Sequence, residues 1–214
     1  DEAPEPSYSK QFEPSKQPIP SGFIIIGHLP CWLACTTSYG RRLMEAKSLA
    51  VFPMRFRCSS EYQMSVDAFW NDIFFDQAFN QYLYYEGLGF PRFEVVEFER
   101  LESGVIRRLV KAHPRIDVPC PLQRLLGQNI HYFERGEFNP NTRRWKCSIE
   151  IPRLSSKLKI TSDMWLVDRQ HGGSIRHVDF DVQIRLLGLG RILGRFTRMS
   201  LEETYGEAAR HTND

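Results

Sequence analysis

No stretch of this sequence strings together the ~18 apolar side chains that a helix needs to cross a membrane. The nearest run, residues 23–35, is short and is interrupted by His28 and Pro30. An excess of one charge is also missing: 28 basic and 26 acidic residues leave a net +2, which argues against nucleic acid as a partner. Paired thiols are absent as well. Cys31, Cys35, Cys58, Cys120 and Cys147 are odd in number and scattered. Cys31 and Cys35 have no second Cys or His pair at zinc-site distance, so neither a disulfide framework nor a metal is expected. Reduced thiols of this kind favour an intracellular compartment. There is no HExxH, no glycine-rich phosphate loop and no Ser–His–Asp order. The expectation is a protein without a cofactor and without a legible catalytic centre.

What is there suits a folded domain. The chain of 214 residues is 42% apolar and 25% charged, enough to bury a core without disulfide or metal staples. Aromatic residues make up 13%, with fifteen Phe, which fits a large core or a cavity lined by flat side chains. Residues 1–21 hold five prolines and almost no aliphatics. They are expected to form a disordered or extended arm, because they cannot bury enough surface to offset chain entropy. Residues 22–53 carry apolar clusters without a clean period and read as an extension that packs on the domain or on a partner. The chain opens on Asp1 rather than Met, the expectation for a processed chain or a fragment. Cytosol, mitochondrion and plastid all fit, with an organelle placed first.

From residue 54 the periodicity becomes informative. Residues 54–64 alternate as a strand. Ser65 is a plausible N-cap, and Val66, Phe69, Trp70, Ile73 and Phe74 follow at helical spacing, which predicts one long helix or two short ones to about Tyr85. Gly87 and Gly89 end it. Period two then returns over 93–101 and 105–116, a hairpin around Glu102-Ser103-Gly104. The prolines of 118–127 break the sheet and start a helical turn, Leu122 to Leu126. Strands follow at 129–138, 145–151, 158–169 and 174–187, and a terminal helix runs to about Ala209. A run of antiparallel strands must curl, and its concave face needs a cover, which the amphipathic helix supplies. His177, Asp179 and Asp181 share one strand face with Gln183 and Arg185; this reads as a solvated outer face with cross-strand ion pairs rather than a metal or acid–base site. Arg191, Arg195 and Arg198 follow helical spacing on the terminal helix, either as a basic stripe for a membrane or partner surface or as an ordinary solvated face.

Three stretches carry a resemblance to a known superfamily. SVDAFWNDIFFDQAFNQYL (65–83) resembles the opening helix of START-like, or helix-grip, domains. VPCPLQRLLG (118–127) resembles the crossover of some members, and LLGLGRILGRFTRMSLEETY (186–205) resembles the strand, small-residue turn and terminal helix that close the cavity. The superfamily takes in Bet v 1-like proteins, polyketide cyclases, lipid-transfer domains and, by weaker similarity, VASt-type sterol-binding domains. Coverage is 54–210, and the domain is placed at 54–214. The resemblance implies an α+β fold, a curved antiparallel sheet of six or seven strands gripping the terminal helix. It also implies binding, or transfer, of a hydrophobic small molecule such as a lipid, sterol or other isoprenoid. The cavity wall would come from Trp145, Cys147, Ile149, Leu158, Ile160, Met164, Val178, Phe180 and Val182 of the sheet and Ile192, Phe196 and Met199 of the helix. The same residues would serve equally to fill a core.

Two further readings stand beside ligand binding. One is a non-catalytic accessory subunit of an organellar membrane complex, with the proline-rich arm as its tether. The other is a cyclase or dehydratase-type enzyme, which needs a buried, pKa-shifted group in the cavity; Tyr132, His131 and Asp163 are the inner-sheet candidates.

Overall fold

Alternation of apolar and polar side chains drives seven segments into strands, each with one face turned to the interior. In a computed structural model, which describes residues 51–127 and 129–214, they are β1 (Phe52–Tyr62), β2 (Arg92–Arg100), β3 (Ile106–His113), β4 (Tyr132–Asn139), β5 (Arg144–Glu150), β6 (Leu158–Asp168) and β7 (Ser174–Ile184). All pair antiparallel in one sheet of order β1-β7-β6-β5-β4-β3-β2. Along β7 every even-numbered residue from Ser174 to Ile184 is buried, and every odd one between them is only partly covered. A register shift between Val95 and Glu97 marks an irregularity in β2, the kind of feature that adds local bend and twist.

The helical segment after β1 is built from two capped pieces. Ser65 accepts a hydrogen bond from Ala68 N at 3.2 Å and starts α1 (Val66–Ala68), which continues as a π-helical turn over Phe69–Phe74. Asp76 accepts from Phe79 N at 2.6 Å and starts α2 (Gln77–Tyr82), which ends in a second π-helical turn, Leu83–Gly87. The crossover between β3 and β4 contains α3 (Cys120–Leu126), two residues longer at its start than the proline signal suggests. The terminal helix α4 (Gly190–Asn213) runs past the expected end near Ala209. Its first turns sit close on the sheet because glycine leaves room: a Cβ on Gly194 would meet Ile184 Cδ1 and Phe52 Cε1, both at 3.2 Å.

The outer face carries the ion pairs expected of it. Arg57 Nε and Nη2 donate to the two Asp179 carboxylate oxygens at 2.6 and 2.8 Å, Arg55 Nε donates to Asp181 at 2.9 Å, and the Ser59 hydroxyl lies 2.9 Å from His177 Nδ1. Hydrogen bonding to Arg57 holds the Asp179 carboxyl below its ordinary value. Any stabilisation from a depressed carboxyl is present above the ordinary carboxylate range and is lost as pH falls through the folded value. Both partners are exposed, so the pair contributes little. Asp179→Asn is expected to leave the thermal midpoint at pH 7 almost unchanged, as followed by circular dichroism.

The arm assigned to 1–21 lies outside the described residues, as do all but the last three residues of the extension assigned to 22–53, including Cys31 and Cys35. Among the described residues, Cys58, Cys120 and Cys147 are free thiols, no cluster of His, Cys, Asp or Glu could hold a metal ion, and no helix is long and apolar enough to cross a membrane.

Candidate ligand cavity

Two hollows differ in character. The larger, about 1420 Å³, is an open trough along the outer face, lined by charged side chains such as Arg57, Arg107, Glu137 and Asp179 that are already paired with one another. The smaller is internal, about 170 Å³, and lies where the sheet, the 66–87 segment and α4 come together. Trp145, Ile149, Ile160 and Met164 wall it from the sheet, Phe69, Phe74, Phe79 and Leu83 from the opening segment, and Phe196, Leu201, Tyr205 and Ala208 from α4. It falls below the ~300–1,000 Å³ usual for ligand pockets. An apolar cavity of ~150 Å³ nonetheless suffices for one benzene-sized ring. Edge-on aromatic packing stiffens the wall, with the rings of Phe74 and Trp145 5.3 Å apart and tilted by 71°.

Charges reach into this apolar space. Arg108 is 5% exposed and Glu134 9%. Their closest approach, Arg108 Nη2 to Glu134 Oε1, is 3.6 Å, while Arg108 Nη1 donates to Phe74 O at 2.9 Å. The same carbonyl accepts from Asn80 Nδ2 at 3.0 Å, so Arg108 and Asn80 together pin the end of the first π-helical turn to the sheet. Burial pushes the Glu134 carboxyl above its ordinary value, and the Arg108 charge pulls the other way. Burial likewise pushes the phenols of Tyr84, Tyr132 and Tyr205 upward, so all three stay protonated donors at neutral pH. The Cys147 thiol is raised by burial and by the nearby Glu134, which disfavours its thiolate, and it lies 3.1 Å from the Ser162 hydroxyl.

The expected wall residues divide by position. Trp145, Ile149, Ile160, Met164 and Phe196 border the cavity. Cys147, Leu158, Val178, Phe180 and Val182 face inward too, but they are buried against other core side chains and do not border it. Ile192 and Met199 correct the sequence reading: they are 40% and 60% exposed and line a surface groove with Leu88, Phe90 and Ile116. The buried stripe of α4 runs instead through Gly190, Leu193, Gly194 and Thr197, because small residues let the helix approach the sheet closely. Arg191 and Arg195 are exposed beside that groove; Arg198 is exposed on another flank, bonded to Glu202 at 2.8 Å with its guanidinium 5.4 Å from the Phe56 ring.

The acid–base candidates also separate. Tyr132 borders the cavity. His131 stacks on His113 with ring centroids 5.2 Å apart and does not line it, and Asp163 lies on the outer face in a two-point hydrogen bond with Arg144. Arg108, Glu134 and Arg176, the buried charges among the described residues, are not among the cavity residues that the sequence suggests. A signal existed: each sits at the inward parity of its strand, Arg108 with Ile106 and Val110, Glu134 with Phe138, and Arg176 with Val178.

A curved seven-stranded antiparallel sheet gripping a long terminal helix around a cavity is the START-like, Bet v 1-like helix-grip fold. The chain belongs to the family described as a protein of unknown function, DUF2505, whose model matches residues 57–214. Norcoclaurine synthase from Thalictrum flavum has a similar structure, with a TM-score of 0.53 at 12% identity over 82% of this chain and 95% of that one. Ara h 8.0201 matches with a TM-score of 0.53 at 12% identity over 75% of this chain and 98% of that one. A protein of Thermus thermophilus matches with a TM-score of 0.51 at 10% identity over 75% and 94%. At such identities the likeness establishes the fold. No curated protein matches the sequence.

Proposed function

We propose that this domain reversibly binds a hydrophobic small molecule in the internal cavity. One observation carries the reading: an aromatic-lined hollow that also holds buried charged and phenolic groups. Residual space left by imperfect packing is normally apolar, whereas ligand sites combine an apolar wall with a few placed polar groups. At about 170 Å³ the cavity suits a single ring or a short acyl chain. A lipid or sterol of the size suggested by the superfamily resemblance would require α4 or the 66–87 segment to move outward.

Native mass spectrometry of gently isolated protein tests the proposal, with a discrete added mass that leaves on denaturation as the supporting result. Protein that carries no ligand and binds no hydrophobic probe would overturn it. Ala208 borders the cavity from α4. Ala208→Phe is expected to fill the space and reduce binding of an environment-sensitive apolar dye at least ~10-fold while the far-ultraviolet circular dichroism stays native.

A second reading, a cyclase or dehydratase-type enzyme, is favoured by Glu134, a buried carboxyl with a raised proton affinity at the cavity wall. One of the similar structures bears the name of a synthase. Recovery of the bound molecule chemically unchanged after prolonged incubation with the protein would count against this reading.

A further inference from the structure

The cavity holds more positive than negative charge. Arg108 has Glu134 beside it, but Arg176, only 6% exposed, has no carboxylate within ion-pair distance among the described residues. Its Nη2 donates to Tyr205 O at 2.9 Å and to Ser60 Oγ at 3.3 Å, and its Nε has no partner. The guanidinium carbon lies 5.2 Å from the Tyr62 ring centroid and 4.8 Å from that of Tyr205. These two rings hold the guanidinium without neutralising it. Tyr62 is 1% exposed, and its buried hydroxyl is also without a partner. Arg176 and Tyr62 both border the cavity. A buried cation without a carboxylate partner and a buried hydroxyl without a hydrogen bond are both costly, so such groups persist where something else completes them.

Resting on the ligand-binding reading above, we propose that the bound molecule is a small apolar carboxylic acid whose carboxylate is received by Arg176 Nε and the Tyr62 hydroxyl, with its apolar body against the aromatic wall. A guanidinium and a phenol on the same cavity wall, each with an unused donor, offer one charge-assisted and one neutral hydrogen bond, which suits a monoanionic carboxylate. A dianionic phosphate would need more compensating cations than one unpaired guanidinium supplies, and Glu134 in the same cavity would oppose it. The volume limits the body to a ring or a short chain.

Isothermal titration calorimetry on the full chain distinguishes the possibilities with matched pairs of probes: phenylacetate against phenylacetamide for a ring-bearing acid, and hexanoate against hexanamide for a chain. The acid of at least one pair is expected to bind ~10-fold or more tightly than its amide, since hydrogen bonds to an ionised group are about twice as strong as neutral ones. Arg176→Gln is expected to erase that preference, read as the ratio of acid to amide affinity. Tyr62→Phe, which removes only an oxygen, is expected to reduce it several-fold and provides an independent test should Arg176→Gln fold poorly. Equal binding of acid and amide, or a preference that survives in both variants, overturns the carboxylate assignment and leaves the binding reading standing. Failure of all four probes, together with failure of the apolar dye, overturns both.

Discussion

Replacing Gly136 with valine is expected to abolish the cooperative thermal transition or to lower its midpoint more than any exposed substitution does. Gly136 occupies an inward position on β4 between Glu134 and Phe138, opposite Cys147 of β5. A Cβ built there collides with Cζ2, Cε2 and Cη2 of the Trp145 indole. That ring is 2% exposed and is hemmed in by Phe74 at 5.3 Å, Phe75 at 5.8 Å and the Arg108 guanidinium at 5.1 Å, so it has nowhere to turn. Extra methylenes in a packed core cost ~1–3 kcal/mol. Valine adds three carbons and displaces an indole, so roughly 4 kcal/mol or more is expected, a large share of a domain's stability. Circular dichroism melts check this, and Trp145→Leu in the same chain should restore part of the loss. A valine variant that melts with the wild type would show that the indole does not lie across β4.

Arg108→Ala is the second substitution with a large expected effect. It strands the Glu134 carboxylate in the apolar interior and removes the donor that ties Phe74 O to the sheet. Breaking a buried pair from one side costs about 3–5 kcal/mol. The effect has a definite pH dependence. The Glu134 carboxyl is already held above its ordinary value of 4.5 by burial, and Arg108 is the largest influence opposing that shift. Without Arg108 the folded value rises further. A carboxyl with a raised folded value favours the folded state below its unfolded value and loses that contribution as pH rises through the folded value. The deficit of Arg108→Ala should therefore shrink between neutral pH and pH 4.5 and be largest above the raised value. Chemical denaturation at several pH values reads this directly. Removing both charges with Arg108→Met and Glu134→Gln is expected to recover most of the loss, and a deficit independent of pH would mean that stranded charge is not its cause.

These two positions show why the site was harder to read than the fold. Gly136 and Trp145 look unremarkable in the sequence, one a glycine in a strand and the other an apolar residue at an inward position. Only the pairing of β4 with β5 lays the indole over the missing side chain. Arg108 follows Arg107 in a basic stretch and reads as surface charge. Strand parity puts Arg107 outside, bonded to Glu137 at 2.9 Å, and Arg108 inside. On α4 the large apolar residues Ile192, Phe196 and Met199 suggested a buried stripe, yet the helix turns Gly190, Leu193, Gly194 and Thr197 inward, with the two glycines allowing the close approach, and leaves Ile192 and Met199 toward solvent. Hydrophobic periodicity weights bulk, and close helix packing selects smallness.

The sequence by itself determined the order of elements, the inward and outward faces of strands such as β7, the Ser65 cap and the paired charges of the outer face. These follow from period, local capping and cross-strand proximity, which are properties of short segments. Only the tertiary structure decided which inward-facing residues border empty space and which fill it, and which charges are buried there with too few partners. A cavity is the volume left between elements distant in the chain, here β1, β3 to β7, the 66–87 segment and α4. Its size and charge depend on how closely those elements approach one another, and no local pattern encodes that distance.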